Sequence, residues 1–201
     1  MNRMISATIQ IYLASQSPRR RELLKQIGVK FRVLTPDVNE AALPRETPAA
    51  YVERIARIKA EAAWMRIAER RMARRPVLAA DTAVVLGRRI LGKPGSDTEA
   101  KAMLKALSGR THQVLTAVAL AHENKLKLAT AISAVTFRRL APNEIAHYVA
   151  SGEPHDKAGA YGIQGLAATF IARIEGSYSG VMGLPLFETA NLLKTFGIPV
   201  L

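Results

Sequence analysis

The stretch VLAADTAVVL, Val77 to Leu86, decides the fold. It reads as an apolar strand, yet polar Asp81-Thr82 interrupt it. A carboxylate among Val, Leu and Ala is costly unless it is paired, bound to a metal, or placed at a strand end facing a cleft. Asp81 is therefore a candidate general base or metal ligand. An Asx turn at a strand terminus is the plainer alternative.

Working outward from that strand, IQIYLA (residues 9–14) is a second buried strand, and FRVLT (31–35) a third. Between them Ser17 caps a helix with Pro18 at its first position, running to about Gln26 and stopping at Gly28. A polar loop carrying Glu40 follows. Thr47-Pro48 then repeats the cap-plus-proline start for the longest helix, about 49–74, with Tyr51, Ile55, Ile58, Ala62 and Met65 at helical spacing. Downstream come a short return strand after Gly87-Arg88-Arg89 and a helix over Glu99–Leu107, capped by Asp97 or Thr98. VLTAVALA and KLKLATAISAVTF form a long hairpin around His122-Glu123-Asn124. Pro142 opens a helix ending at Ser151-Gly152. The glycine-studded DKAGAYGIQG leads to a strand through Phe170-Ile171, then SYSGVMGLP and a last helix over 186–196. Strands and helices alternate, and the hairpin makes the sheet mixed, so the class is α/β. The expected layout is one continuous domain over 1–201 with two lobes, residues 1–8 being a short extension.

Of the 201 residues, 49% are hydrophobic and 5% aromatic, which allows a sizeable aliphatic core. No window reaches the roughly 18 apolar residues of a membrane span, and no signal peptide is expected. The chain has no cysteine, which rules out disulfides and thiolate metal sites and fits a reducing cytoplasm, the expected location. A net charge of +13 suits a handler of polyanions. Much of the excess sits in MRIAERRMARR (65–75), where cations oppose the negative end of a helix dipole. No aromatics interleave that run to stack bases, so nucleic acid is not an expected partner.

Four further places attract attention. In SQSPRR, Arg19 and Arg20 stand in the first turn of a helix, where the dipole disfavours cations unless an anion joins them. Arginine binds phosphate bidentately. Lys93, in GKPGSD, lies in a tight loop shortly after the Asp81 strand. DKAGAYGIQG combines Asp156, Lys157 and Gln164 with glycines that let a backbone approach a ligand. Gln164 offers both a donor and an acceptor, as a nucleobase edge requires. His112, His122, His147 and His155 lack metal-ligand spacing and read as structural. Ser15 and Ser17 have no evident His/Asp partners for acyl transfer, and the common nucleotide loops are absent.

In order along the chain, LASQSPRRRELL, AADTAVVL, LGKP, LSGRTHQVLTAVAL, DKAGAYGIQG and GSYSGVMGLPL resemble the Maf family of nucleoside triphosphate pyrophosphatases. The resemblance runs from Ile11 to about Phe196. It implies an elongated mixed α/β fold like that of inosine triphosphate pyrophosphatases, with two lobes around a central cleft. It also implies divalent-cation-dependent cleavage of a nucleoside triphosphate between the α and β phosphates, in the service of nucleotide-pool cleansing. The AYGIQG form resembles the branch acting on dTTP and UTP, with Arg19, Thr82 and Gln164 matching the residues tied to substrate choice. The 7-methyl-GTP branch is the alternative within the family; outside it stand a basic nucleic-acid binder and a division-regulating protein, since the family is also linked to inhibition of septum formation. Ser15, Arg20, Lys59, Lys93, Asp156 and Lys157 match the family's substrate-binding positions, and Asp81 its catalytic one. Glu40 and Asp81 would hold Mg²⁺ or Mn²⁺. A homodimer is the assembly left open, and no membrane partner is implied.

Overall fold

The computed structural model describes residues 9–200. The expected N-terminal extension, residues 1–8, lies outside the described residues. Strand β1 (Ile11–Leu13) leads through helix α1 (Pro18–Gln26) to β2 (Phe31–Val33), and α2 (Pro48–Glu69) leads to β3 (Val77–Leu86). After β4 (Arg89–Leu91) and α3 (Asp97–Leu107) come the long strands β5 (Thr111–His122) and β6 (Lys125–Phe137). Helix α4 (Pro142–Ala150), three short 3₁₀ turns, β7 (Ile171–Glu175), α5 (Tyr178–Met182) and α6 (Leu186–Thr195) complete the chain.

The seven strands form one mixed sheet in the order β2-β1-β3-β5-β6-β7, with β4 also paired to β3. The pairs of β1 with β2 and with β3 are parallel, and the remaining ones are antiparallel. The α/β class and the mixed sheet expected from the hairpin are therefore observed.

Both faces of the sheet are covered. On one, Val52, Ala56, Ala60, Ala63 and Ile67 of α2 pack over Val77, Ala79, Ala83 and Val85 of β3 and the alanines of β5. The expected apolar stripe was shifted: Met65 is 60% exposed, and the buried face is the alanine row. Alanine is small enough to let a helix lie close on a sheet, so a bulkier stripe is not needed there. On the opposite face, Leu23, Leu24, Leu192 and Leu193 pack over Leu13, Leu78, Val118 and Leu120. A third cluster at the far end of β3 and β5 joins α3, α4 and the last 3₁₀ turn through Leu104, Leu107, Phe137, Tyr148 and Phe170.

Two local expectations shift. The cap of α3 is Ser96, whose Oγ accepts the Glu99 N–H at 3.2 Å, rather than Asp97 or Thr98. Helix α2 stops at Glu69, so the arginine run straddles its end, with Arg71 in the left-handed region at φ 48°. No described helix is long and apolar enough to cross a membrane.

Candidate active site

The site is a gap in the sheet. Strand β1 is short, and its last pairing with β3 is Leu13 to Leu78. On the same side, β4 begins to pair only at Val84. Between these points, residues 79–83 of β3 have a neighbour on one side alone, the β5 strand. The chain leaving β1 turns into α1 at the gap, because Ser17 Oγ accepts the Arg20 N–H at 3.4 Å and Pro18 takes the first helical position. In α/β sheets, ligands bind where parallel strands end and successive connections diverge. A cleft of about 680 Å³ opens there, lined among others by Ser15, Arg19, Glu40, Lys59, Asp81 and Lys93.

Adjacent residues of a strand face opposite ways, and this splits Asp81 from Thr82. Asp81 turns toward α2, where Lys59 Nζ donates to its Oδ1 at 2.9 Å. The same ammonium lies 2.9 Å from Glu40 Oε1, so two carboxylates from separate segments converge on one cation. Asp81 is only 7% exposed. Burial raises its pKa above the ordinary value, outweighing the pull of Lys59 and Arg20 in the other direction.

Thr82 turns to the other face and meets α1. Arg20 donates from Nη2 to Thr82 Oγ1 at 3.1 Å, from Nε to the Gly183 carbonyl at 2.7 Å and from Nη1 to Ser15 Oγ at 3.2 Å. Burial lowers the Arg20 pKa, countered by Asp81. Thr116, directly opposite Thr82 on β5, places its Oγ1 3.0 Å from Thr82 Oγ1 and donates to the Gly180 carbonyl at 2.8 Å. Arg20 thus ties α1, β3 and the turn after α5 together. Thr116 was missed in the sequence, although its signal is the same as that of Asp81: a polar residue inside an apolar strand.

The DKAGAYGIQG segment closes the other bank. Gly159 sits at φ 68°, and a Cβ there would stand 2.8 Å from Val84 Cγ1, so only glycine lets this segment lie on β3. Its N–H is held by the Gly92 carbonyl at 2.9 Å, next to Lys93. Asp156 accepts from Arg19 Nη1 at 3.2 Å and from Lys157 Nζ at 2.6 Å. Burial raises the Asp156 pKa, but these two cations outweigh it and the carboxyl falls below its ordinary value. Gln164 does not line the main cleft. It lines a smaller adjoining recess of about 100 Å³ together with Arg19, Thr82, Lys93 and Met182. The residues matching the family's site therefore line these two neighbouring cavities, Asp81 and Glu40 in the larger and Gln164 in the smaller, with Arg19, Thr82, Lys93 and Asp156 lining both.

Of the histidines, His112 has a structural role. His112 is buried with Nε2 2.7 Å from the Tyr161 hydroxyl, and burial pushes its pKa down to about 4. Among the described residues no three His, Asp or Glu side chains group as a ready-made metal site.

The family model described as Maf-like protein matches residues 10–196. A protein of Nitrosospira multiformis is 58% identical over 199 residues, covering 95% of this chain and 96% of its own; it is named dTTP/UTP pyrophosphatase. A Nitrosomonas europaea protein of the same name is 56% identical, covering 94% and 96%. Among solved structures, the Staphylococcus aureus Ham1 protein is similar at a TM-score of 0.45 and 19% identity, over 64% of this chain and 71% of that one. With the family model spanning nearly the whole chain, this protein belongs to the Maf-like family.

Proposed function

We propose that this protein hydrolyses dTTP and UTP to the nucleoside monophosphate and pyrophosphate. The observation that carries the reading is the placement of Asp81: a buried carboxylate at the gap in the sheet, opening onto a cleft also lined by Arg19, Lys59 and Lys93. The name of the relatives supports the choice of substrate.

The triphosphate lies along the groove with its α-phosphorus near Asp81 and its base toward Thr82 and Gln164. Asp81 takes a proton from water as the water oxygen bonds to the α-phosphorus. The bond from that phosphorus to the bridging oxygen breaks, and pyrophosphate departs. A raised pKa makes Asp81 a stronger base than an exposed aspartate. Arg19 and Lys93, with Ser15, offset the negative charge that grows on the leaving group. Asp156 aligns Arg19 and Lys157 rather than touching phosphate, since two like charges would repel. Arg20 lines the same cleft; three of its five N–H donors hold Ser15, Thr82 and Gly183, which fixes the guanidinium in place there.

The donor set fits a hard divalent cation. Glu40 and Asp81 already converge on the Lys59 ammonium, and Mg²⁺ commonly takes one or two carboxylates plus substrate phosphates. Mg²⁺ or Mn²⁺ held by Glu40 and Asp81 would supply charge neutralisation at the phosphates.

The test is a panel of nucleoside triphosphates assayed with Mg²⁺ or Mn²⁺ for monophosphate and pyrophosphate. dTTP and UTP should be turned over in preference to purine and cytosine triphosphates, and chelation should stop turnover. Release of orthophosphate alone, or a preference for 7-methyl-GTP, would overturn the reading.

A further inference from the structure

The turn that presents Gln164 to the groove is closed by a backbone hydrogen bond of its own. Gly162 and Gly165 flank it, and the Gly165 N–H closes a four-residue turn onto the Gly162 carbonyl at 3.1 Å, with Ile163 and Gln164 at its centre. Ile163 is buried and Gln164 exposed. Glycine has more backbone freedom than other residues, so a contact from outside the turn adds to its hold.

Glu153 makes that contact from the preceding 3₁₀ turn. Its Oε2 accepts the Leu166 N–H at 2.8 Å, and its Oε1 accepts the Tyr148 hydroxyl at 3.0 Å. The carboxylate is pressed against the turn: a Cβ at Gly165 would stand 2.4 Å from both of its oxygens. The Lys157 stem presses in the same way on Gly162, where a Cβ would lie 2.7 Å from Cε. Lys157 Nζ in turn donates to the Glu153 carbonyl at 2.6 Å and to Asp156. Glu153 therefore links the turn carrying Gln164, through its carboxylate, to the Asp156–Lys157–Arg19 group on the phosphate side, through its main-chain carbonyl. Tyr148 is a dependable donor to it, since burial and then Glu153 itself raise the Tyr148 pKa far above the usual range.

We propose that Glu153 is a positioning residue for nucleobase selection, holding the turn that presents Gln164 to the smaller recess. This rests on the reading that Gln164 contacts the base. A structural brace alone would change stability and leave the choice between bases untouched, whereas a positioning residue changes the choice.

The measurement is the ratio of kcat/KM for dTTP to that for dCTP, in protein shown by thermal melting to be folded. Glu153→Ala should lower that ratio about tenfold, as expected for loss of one charge-assisted bond. Glu153→Gln, which keeps an acceptor for the Leu166 N–H, should retain most of it. In a Gln164→Ala background, Glu153→Ala should cause no further loss, because the two act through one contact. An unchanged ratio in Glu153→Ala, or the same loss in both backgrounds, would overturn the proposal. Should Glu153→Ala not fold, Gly165→Ala gives the answer. The backbone there is extended (φ −108°), and the first atoms its Cβ would meet are those of the Glu153 carboxylate; it should lower the ratio, and an unchanged ratio is again fatal. A wild-type protein inert toward every triphosphate sinks the pyrophosphatase reading and this proposal with it. Selective turnover by wild type and Glu153→Ala alike sinks this proposal alone.

Discussion

The two edges of β3 are built for different tasks. Toward β5 it is paired without a break from Val77 to Val85, and β5 continues the ladder into β6 over its whole length. Toward β1 and β4 the pairing is interrupted between Leu78 and Val84. The closed edge buries mostly alanine, valine and leucine, and its one hydroxyl facing Thr82, that of Thr116, is hydrogen-bonded to the Gly180 carbonyl. The open edge carries a carboxylate and a hydroxyl that the sheet does not need, facing a cleft lined with cations. Stability and chemistry are thus separated across the width of a single strand.

The largest expected effect breaks the open edge only. Asp81→Asn should lower kcat for dTTP by about 10³-fold, the scale of a lost general base. Its melting temperature should not fall, because the raised pKa means that burial already favours an uncharged group at this position. A melting temperature well below wild type would show that Asp81 serves the fold after all.

The complementary change strikes the closed edge. Leu120 is fully buried on β5, and Leu120→Ala should cost about 3 kcal/mol in denaturant unfolding. The folded fraction should keep its kcat/KM for dTTP. A fall in kcat/KM as steep as that of Asp81→Asn would erase the distinction between the edges.

A finer test uses pH. His112, on β5, is buried and its pKa is depressed to about 4. Between that value and the unfolded value of about 6.5, the unfolded chain binds more protons than the folded one. Stability from this group is therefore complete above about pH 6.5 and declines by about 3 kcal/mol as pH falls toward 4. His112→Phe should flatten that part of the stability profile, and a slope equal to wild type would show that His112 is not its source.

Much of the architecture was legible because it rests on local rules. Ser17-Pro18 and Thr47-Pro48 start helices as caps and prolines do anywhere, and the apolar strands on either side of Glu123-Asn124 pair as a hairpin. Elements without such marks were not legible. The five-residue α5 and the 3₁₀ turns carry no periodicity long enough to read. The buried stripe of α2 was misplaced because alanine is a weak hydrophobic signal, and only the sheet beneath shows which row is covered.

The same division holds for the site. Asp81 and Thr82 stood out because polar residues in an apolar strand need a reason, and Arg19 and Arg20 because they oppose a helix dipole. Glu153 and Thr116 did not stand out as site residues. Glu153 sits in a polar turn where a glutamate is ordinary, and only its bonds to Leu166 and Tyr148 distinguish it. Arg20 carried a clear charge signal, yet its three acceptors lie on three separate segments.

The sequence alone determined the class of the fold, the family and the segments that carry chemistry, since composition, caps and motif order are properties of the chain. Tertiary structure alone decided which of those groups meet. Whether Asp81 faces Lys59 while its neighbour faces Arg20 depends on strand alternation combined with which helix covers each face. That pairing joins residues far apart in the chain, and no local preference encodes it.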